Sequence, residues 1–137
     1  MSKDLTYIYQ NKVIKIDLDG AESRIGMLLN GSEDYIAVLT DEDEVIYYKT
    51  KHINGTTENM KGKMKFDVKD PEDVDYIEAE NFKDLLEQLK YSWVGINRDY
   101  PKPVEGILVE VKDDYVYLVT CEEITRISMS HIKNVSD

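Results

Sequence analysis

Two histidines, His52 and His131, are the side chains in this sequence best suited to bind a transition metal. They occupy equivalent positions in an internal repeat described below, so a pseudo-two-fold axis could bring the two imidazoles together. Two histidines without thiolates or a placed carboxylate make a weak metal site, however. The alternative is a half-buried imidazole that bonds to the backbone at the start of a strand, and we predict this role for both residues.

A second possible metal site begins at Asp17-Leu18-Asp19-Gly20, which is similar to the start of a calcium loop. An EF-hand loop needs a third ligand before its glycine and a glutamate six residues after it. Residue 26 is a glycine instead. We therefore predict a turn between two strands here, and no metal site.

Cys121 is the only cysteine in the chain, so an intrachain disulfide and a thiolate metal cluster are both excluded. No Cys-His-Asn arrangement can be argued around this residue, which favours an inert thiol over a nucleophile. The sequence also lacks a GxSxG motif and a glycine-rich loop that could cradle phosphates. We predict that the protein is not an enzyme and uses no cofactor.

The 137 residues carry a formal net charge of −11, and the acidic residues are spread along the chain. No segment is basic, so the charge pattern of a nucleic-acid-binding protein is missing, and acidity also disfavours anionic membranes. The N-terminal sequence MSKDLTYIYQ is polar and has no signal-peptide pattern. We expect no nucleic-acid partner, no membrane partner and no export signal.

The chain contains one pattern twice. At an offset of 80 residues, the identical positions are Ile16 and Ile96, Asp19 and Asp99, Gly26 and Gly106, Leu28 and Leu108, Asp34-Tyr35 and Asp114-Tyr115, and Thr40 and Thr120. One residue is then lost, and at an offset of 79 His52-Ile53 matches His131-Ile132. We infer an internal duplication. Each half has about 55 residues, which is marginal for an independent core, so we expect the halves to pack on each other.

Each copy of the pattern predicts five short strands. In the first copy the predicted strands are Val13–Ile16, Arg24–Leu29, Tyr35–Leu39, Val45–Tyr48 and a short one that begins at His52-Ile53. Gly26 lies inside the second strand and predicts a bulge or a close backbone approach. Asn30-Gly31 predicts a turn. Between the copies, the alternation from Met64 to Val68 predicts a half-buried strand.

One helix is predicted, and it precedes the second copy. Asn81 can cap it, with Asp84 three positions on, and the helix is expected to end near Tyr91. Its apolar positions recur at i, i+3, i+4 and i+7, and they are Phe82, Leu85, Leu86 and Leu89. We expect this face to cover an open barrel end or the seam between the two copies.

The predicted fold is mainly β. It consists of two tandem five-strand barrels, Sm-like or SH3-like, related by a pseudo-two-fold axis and connected by the helix near residues 81–91. The expected division is a first β repeat over residues 1–60, a connecting strand and acidic linker over 61–80, and the helix with a second β repeat over 81–137.

Sheet edges are the predicted interaction sites. In Sm-like folds the fourth strand of one barrel pairs with the fifth of its neighbour, so a duplicated chain can satisfy one such pairing internally and leave one edge free at each end. The candidate edge residues are Tyr47, Tyr48, His52 and Ile53 in the first copy, and Arg126, Ile127, His131 and Ile132 in the second.

From Trp93 onwards the chain resembles the N-terminal region of the spore coat protein B family of endospore-forming Firmicutes. Repeats of that family follow the pattern W-V-x-I-N-R-G-G-P-E-x-x-x-G-x-L, continue with a D-x-Y strand and close on H-I-K-x-I. This chain retains Trp93, Val94, Ile96, Asn97, Arg98, Pro101, Gly106, Leu108, Asp114, Tyr115 and His131-Ile132-Lys133. The resemblance extends over roughly residues 10–136.

The chain departs from the family pattern at the Gly-Gly-Pro-Glu loop. The corresponding residues are Asp19, Gly20, Ala21 and Glu22 in the first copy, and Asp99, Tyr100, Pro101 and Lys102 in the second. If this loop binds a ligand in the family, the substitutions put that binding in doubt here. Some members of the family also carry a long Ser/Lys/Arg-rich tail.

The resemblance implies a non-enzymatic structural component of the bacterial spore coat, made in the mother-cell cytoplasm. Its implied partners are other spore coat proteins, with a homo-oligomer as a further possibility. The alternative is an Sm-like binding module for RNA or for a regulatory protein. An RNA-binding surface needs basic or aromatic groups that converge on one face, and the general acidic excess argues against it.

Overall fold

The computed structural model describes residues 12–58 and 73–137. In this part of the chain the strands are β1 (Val13–Leu18), β2 (Arg24–Gly31), β3 (Tyr35–Thr40), β4 (Val45–Lys49), β5 (Ile53–Glu58), β6 (Trp93–Ile96), β7 (Val104–Val111), β8 (Tyr115–Val119), β9 (Ile124–Ser128) and β10 (Asn134–Ser136). One α-helix, α1 (Phe82–Gln88), precedes β6, and single 3-10 turns precede β5 and β10. The mainly β prediction is confirmed. The strand predicted from Met64 to Val68 lies outside the described residues.

All ten strands form one antiparallel sheet, in the order β5-β1-β2-β3-β4-β10-β6-β7-β8-β9. We call β1–β5 the first half and β6–β10 the second half. The order within the second half repeats that of the first, since β10 has the place of β5. The pairing register repeats at the sequence offset as well. Gly26 is opposite Ile14 and Gly106 is opposite Val94, and β2 and β7 are both bulged at equivalent places.

The two halves are joined by pairing between β4 and β10, with Val135 opposite Tyr47. This pairing joins the fourth strand of one half to the fifth strand of the other, as expected for an internally satisfied edge. Two separate barrels are therefore not confirmed, because the sheet runs through the junction without a break. The expected pseudo-two-fold is not found either. A two-fold axis would pair equivalent strands, whereas β4 and β10 are not equivalent, so the arrangement is head-to-tail.

The core has two parts, one on each face of the sheet. We call the face of each half that carries Leu28 or its equivalent Leu108 the inner face. The smaller part fills the inner face of the first half and contains Ile14, Ile16, Leu18, Leu28, Ile36, Val38, Ile46, Tyr48 and Tyr100. The larger part of the core contains the inner face of the second half, α1, and the outer face of the first half, which lie on the same side of the sheet. The first-half members of this larger part are Met27, Leu29, Tyr35, Ala37, Leu39 and Tyr47. Strand β3 is consequently buried on both faces. The division into residues 1–60, 61–80 and 81–137 stays a prediction.

The helix begins where the sequence predicts it. The Asn81 side-chain oxygen accepts a hydrogen bond from the Asp84 backbone N–H at 2.8 Å, which caps the first turn. The helix is shorter than expected, since Tyr91 has a φ of 71° and its N–H donates to the Leu108 carbonyl at 2.6 Å. Its four apolar residues are at most 2% exposed, and they are Phe82, Leu85, Leu86 and Leu89. The helix thus covers the seam between the halves.

Two local predictions in β2 have different outcomes. A Cβ on Gly26 would lie 2.7 Å from the Leu39 carbonyl oxygen and 2.5 Å from a Val38 methyl, so the predicted close approach is confirmed. Asn30-Gly31 does not form the turn, because both residues still pair with β3. The turn follows at residues 32–34, where the Ser32 N–H donates to the Tyr35 carbonyl at 2.8 Å.

Candidate association surface

The terminal strands of the described sheet are β5 at one end and β9 at the other. Of the predicted edge residues, Ile53 begins β5, while Arg126 and Ile127 lie in β9. Tyr47 and Tyr48 lie instead in β4, an interior strand with β3 on one side and β10 on the other, and they are at most 2% exposed.

The remaining predicted edge residues occupy the 3-10 turns or their ends. His52 closes the turn before β5 and is half-buried, as predicted. His131 closes the turn before β10 and is exposed, so the half-buried position predicted for it is wrong. Ile132 is fully buried in the core. Burial lowers the pKa of the His52 imidazole below its usual range. Among residues 12–58 and 73–137, no group of three or more His, Cys, Asp or Glu side chains is placed to hold a metal ion.

The backbone of β9 directs hydrogen-bonding groups away from the sheet at Arg126. The Thr120 N–H donates to the Glu123 carbonyl, and the Met129 N–H donates to the Asp114 carbonyl, at the two ends of the β8–β9 ladder. Hydrogen-bonded and non-hydrogen-bonded pairs alternate along an antiparallel ladder. The Tyr117–Arg126 pair is therefore non-hydrogen-bonded, and the Arg126 N–H and C=O point to the open side.

The corresponding position in β5 is Thr56, which is opposite Ile16 of β1. It corresponds to Val135 of β10, which is opposite Ile96 of β6. In the β6–β10 ladder, the pair next to Ile96–Val135 is Asn97–Asn134. This pair is hydrogen-bonded, because the Asn97 N–H donates to the Asn134 carbonyl at 3.1 Å. The backbone groups of Val135 therefore face β4, and by equivalence those of Thr56 face the open side. Sequence patterning had not singled out Thr56, because the polar run around it has no apolar alternation.

The outer face of the second half is a further surface that residues 12–58 and 73–137 leave uncovered. Its apolar residues include Trp93, Ile107 and Ile124, which are 54%, 39% and 73% exposed. Next to the β9 edge, the Arg126 guanidinium lies over the Tyr115 ring, 4.4 Å from its centroid. Large exposed apolar side chains that cluster beside a sheet edge are typical of an interaction surface. The sequence offered no signal for it, because the same alternation is buried in the first half.

The two family-loop segments meet at the junction of the halves. Gly20, Ala21, Glu22, Asp99, Tyr100 and Pro101 line one shallow cleft, with Asp19 next to it in the chain. Asp99 accepts a hydrogen bond from Arg24 Nη1 at 2.9 Å and one from the Tyr48 hydroxyl at 3.3 Å. Burial of Tyr48, with the charge of Asp99 beside it, raises the pKa of its phenol well above the usual range.

Asp99 also explains one departure from the family pattern. Its φ is 72°, a left-handed conformation in which the family pattern has glycine. Asp tolerates this region better than most residues, and its carboxylate is used in the ion pair with Arg24. The loop therefore contributes an ion pair to the junction of the halves, and a ligand-binding role of the loop stays a prediction.

A second polar cluster ties the same loop to β10. The Asn97 side chain donates to the His131 carbonyl at 2.9 Å and accepts from the Lys133 N–H at 2.6 Å. The buried Asn134 side chain accepts from the Arg98 N–H at 2.9 Å and donates to the Arg98 carbonyl at 2.8 Å. Such reciprocal amide bonds fix the position of β10 and with it the β4–β10 junction.

The fold and these surfaces define a mainly β protein with a continuous antiparallel sheet, two open edges in the described part of the chain, and an apolar patch beside one of them. The chain is 33% identical to spore coat protein B of Bacillus subtilis (strain 168) over 126 residues. The alignment covers 92% of this chain and 32% of that relative, so the chain spans about a third of the relative's length. This similarity supports a spore coat protein B-like family, and the resemblance noted from the sequence is confirmed.

No protein-family model and no solved structure matches the chain. In the part of the chain that the structure describes, none of the helices is long and apolar enough to cross a membrane.

Proposed function

We propose that this protein is a non-enzymatic structural component of the bacterial spore coat that acts by associating with other coat proteins through the edges β5 and β9. The name of its Bacillus subtilis relative supports the coat location. The coat assignment points to a structural rather than a catalytic role, and the association mode is our inference from the sheet.

The observation that carries the proposal is the β4–β10 junction. It joins the two halves by adding a strand edge to a strand edge, with a further apolar core packed across the contact. Exposed edges are templates for the same kind of strand addition. The junction pairs the fourth strand of one half with the fifth strand of the other. The described sheet has one strand of each kind at its ends, because β9 is the fourth strand of the second half and β5 is the fifth strand of the first half.

Charge argues against the rival function, an Sm-like module for RNA. The chain carries 28 acidic and 17 basic residues, whereas affinity for nucleic acid depends on cationic contacts to phosphate. The exposed cation nearest the candidate surface, Arg126, lies over the Tyr115 ring. A protein partner is therefore favoured.

The test is a proline substitution at the β9 edge. Arg126→Pro removes one outward-facing N–H and no bond of the β8–β9 ladder. Arg126→Ala is the matched control, since it removes the same side chain and keeps the N–H. Each variant is fused to a fluorescent protein, expressed in a sporulating host, and scored for incorporation into the coat, while the purified proteins are compared by thermal melting.

We expect the wild type and Arg126→Ala to be incorporated and Arg126→Pro to be incorporated several-fold less, with all three melting cooperatively. Tyr47→Pro at the equivalent interior position should instead abolish the cooperative melt, because the Tyr47 backbone pairs with Val135. Coat incorporation of Arg126→Pro at the wild-type level contradicts the edge mechanism. A wild-type fusion that stays diffuse in the mother cell contradicts the coat assignment itself.

A further inference from the structure

We infer that the partner at the β9 edge is a second copy of this chain, which adds its own β5 head-to-tail in the geometry of the internal β4–β10 junction. This inference rests on the proposed function and specifies its partner. The reason is equivalence: β9 has the place of β4 in the second half, and β5 has the place of β10 in the first. In the described sheet, the strand at each open edge is thus the counterpart of the strand that pairs with the other edge at the internal junction.

The internal junction fixes the register of the contact. Its partners are Tyr48 with Asn134, Tyr47 with Val135, and Ile46 with Ser136. At the offset of 79 residues, these three pairs become Ile127 with Gly55, Arg126 with Thr56, and Thr125 with Thr57. The outward backbone groups of Arg126 and Thr56 then meet in a hydrogen-bonded pair, as those of Tyr47 and Val135 do.

The side chains at the two edges are compatible with this register. Glu58, which forms an ion pair with Lys12 at 3.2 Å, lies two residues beyond Thr56 on the same face of β5, so it becomes the diagonal neighbour of Arg126 on the second copy. Opposite charges at such positions stabilise a strand pair. Ile124, 73% exposed, corresponds to Val45, which packs against the larger core near the internal junction. Addition of a second copy would place Ile124 beside the new junction, as Val45 lies beside the internal one.

The contact is heterologous, because different strands meet, and it leaves one β9 and one β5 free after each addition. Repetition therefore produces a closed ring or an open filament, depending on the rotation per step. An isologous dimer, with β9 against β9, is the competing arrangement, and it would end at two copies.

Disulfide trapping tests both the partner and the register. In a Cys121→Ser background, Thr57→Cys and Thr125→Cys are combined in one full-length chain and oxidised under mild conditions. The two positions form a non-hydrogen-bonded pair in the inferred register, where Cα atoms lie about 4.5 Å apart, within the range that a disulfide spans. The shifted control combines Thr57→Cys with Ser128→Cys, three residues along the same edge. Each single-cysteine variant is also oxidised.

We expect the matched pair to form a reducible ladder of dimers and higher species, at least tenfold more abundant than in the shifted control, and only trace dimer from the single variants. Strong dimerisation of the Thr125→Cys single variant indicates the isologous arrangement and overturns the inference. Equal trapping of the matched and shifted pairs overturns the register. A monomeric matched pair at every concentration overturns self-association. If Arg126→Pro still reduces coat incorporation relative to Arg126→Ala in that case, the proposed function stands with a different coat protein at the edge.

Discussion

The outer faces of the two halves are built from equivalent residues and differ in burial. Met27 and Leu39 in the first half are at most 2% exposed, whereas their counterparts Ile107 and Val119 are 39% exposed and half-buried. Strand order and register are the same in both halves, so the strands themselves do not cause the difference. Among the described residues, the cause is the connecting segment over residues 74–79, which packs against the outer face of the first half.

Hydrogen bonds hold that segment in place. The Tyr35 hydroxyl donates to the Ala79 carbonyl at 3.1 Å and accepts from the Ala79 N–H at 2.9 Å, and the Tyr47 hydroxyl accepts from the Ile77 N–H at 2.8 Å. The second half has Tyr115 in the place of Tyr35 but no such cover among the described residues. The outer face of the first half is thus covered by the connecting segment of the same chain. The outer face of the second half is exposed, and it is the surface at which we propose that another protein binds.

The largest expected difference between the two halves is in the free energy of unfolding when equivalent residues on their outer faces are truncated. Met27→Ala should lower the free energy of unfolding by about 2–5 kcal/mol, the usual range for a buried side chain that leaves a cavity. Ile107→Ala should cost about 1 kcal/mol or less, as for a partly exposed site. Chemical denaturation of both variants measures the difference. Equal losses would show that the outer face of the second half is covered in solution.

The paired glycines give a smaller and more local contrast. Gly26→Ala places a methyl group 2.7 Å from the Leu39 carbonyl oxygen, so neighbouring backbone must move, at a cost of about 1–3 kcal/mol. At Gly106 the nearest atom, the Val119 carbonyl oxygen, would be 3.1 Å away, and the equivalent change should cost less than about 1 kcal/mol. Thermal melting of both variants measures which substitution lowers the melting temperature more. A larger decrease for Gly106→Ala would contradict the tighter packing around Gly26.

The smallest expected effect is a pH dependence at Lys49, which has Ser128 as its counterpart. Lys49 is 8% exposed and its ammonium donates to the Met129 carbonyl at 2.5 Å across the junction. Burial, with a smaller contribution from the charge of Lys51, lowers the pKa of Lys49 to about 8. In the unfolded chain the lysine pKa is about 10.4. Between about pH 8 and about pH 10.4 the unfolded chain therefore binds more protons at Lys49 than the folded chain does, and the free energy of unfolding increases as the pH rises.

Above about pH 10 the trend should reverse, because the buried Tyr48 phenol has a raised pKa and ionises more readily in the unfolded chain. Urea denaturation at pH 7, 8, 9 and 10 measures the rise, and Lys49→Met is the control that should remove it. A rise of the same size in Lys49→Met would assign the effect to another group.

Local sequence features predicted most of the individual elements. The strands around Ile16, Val38 and Ile46 follow from β-branched residues, and the cap at Asn81 follows from its spacing to Asp84. The turn after Leu29 was misplaced, because the bulge at Leu28 to Asn30 keeps Asn30-Gly31 paired with β3. A bulge adds one residue to a strand without changing its composition, so turn propensity alone could not locate its end.

The candidate edge was only partly predictable. The likeness of the predicted strands to an Sm-like fold indicated the fourth and fifth strands as the pairing strands, and the sequence left open which two would meet inside the chain. Tyr47 and Arg126 are equivalent in sequence, yet one lies in the interior of the sheet and the other at its edge. That choice depends on the β4–β10 pairing, a contact between residues more than 80 positions apart in the chain.

The sequence by itself determined the repeat, most strand positions, the helix cap and the net acidic charge, because each depends on neighbouring residues or on composition. Tertiary structure decided the head-to-tail junction, the burial of Tyr47 and Tyr48, and the exposure of Trp93 and Ile124. These depend on which distant segment packs against a strand. In the described part of the chain, two copies of one local pattern acquire different surroundings because the connecting segment over residues 74–79 packs against one of them.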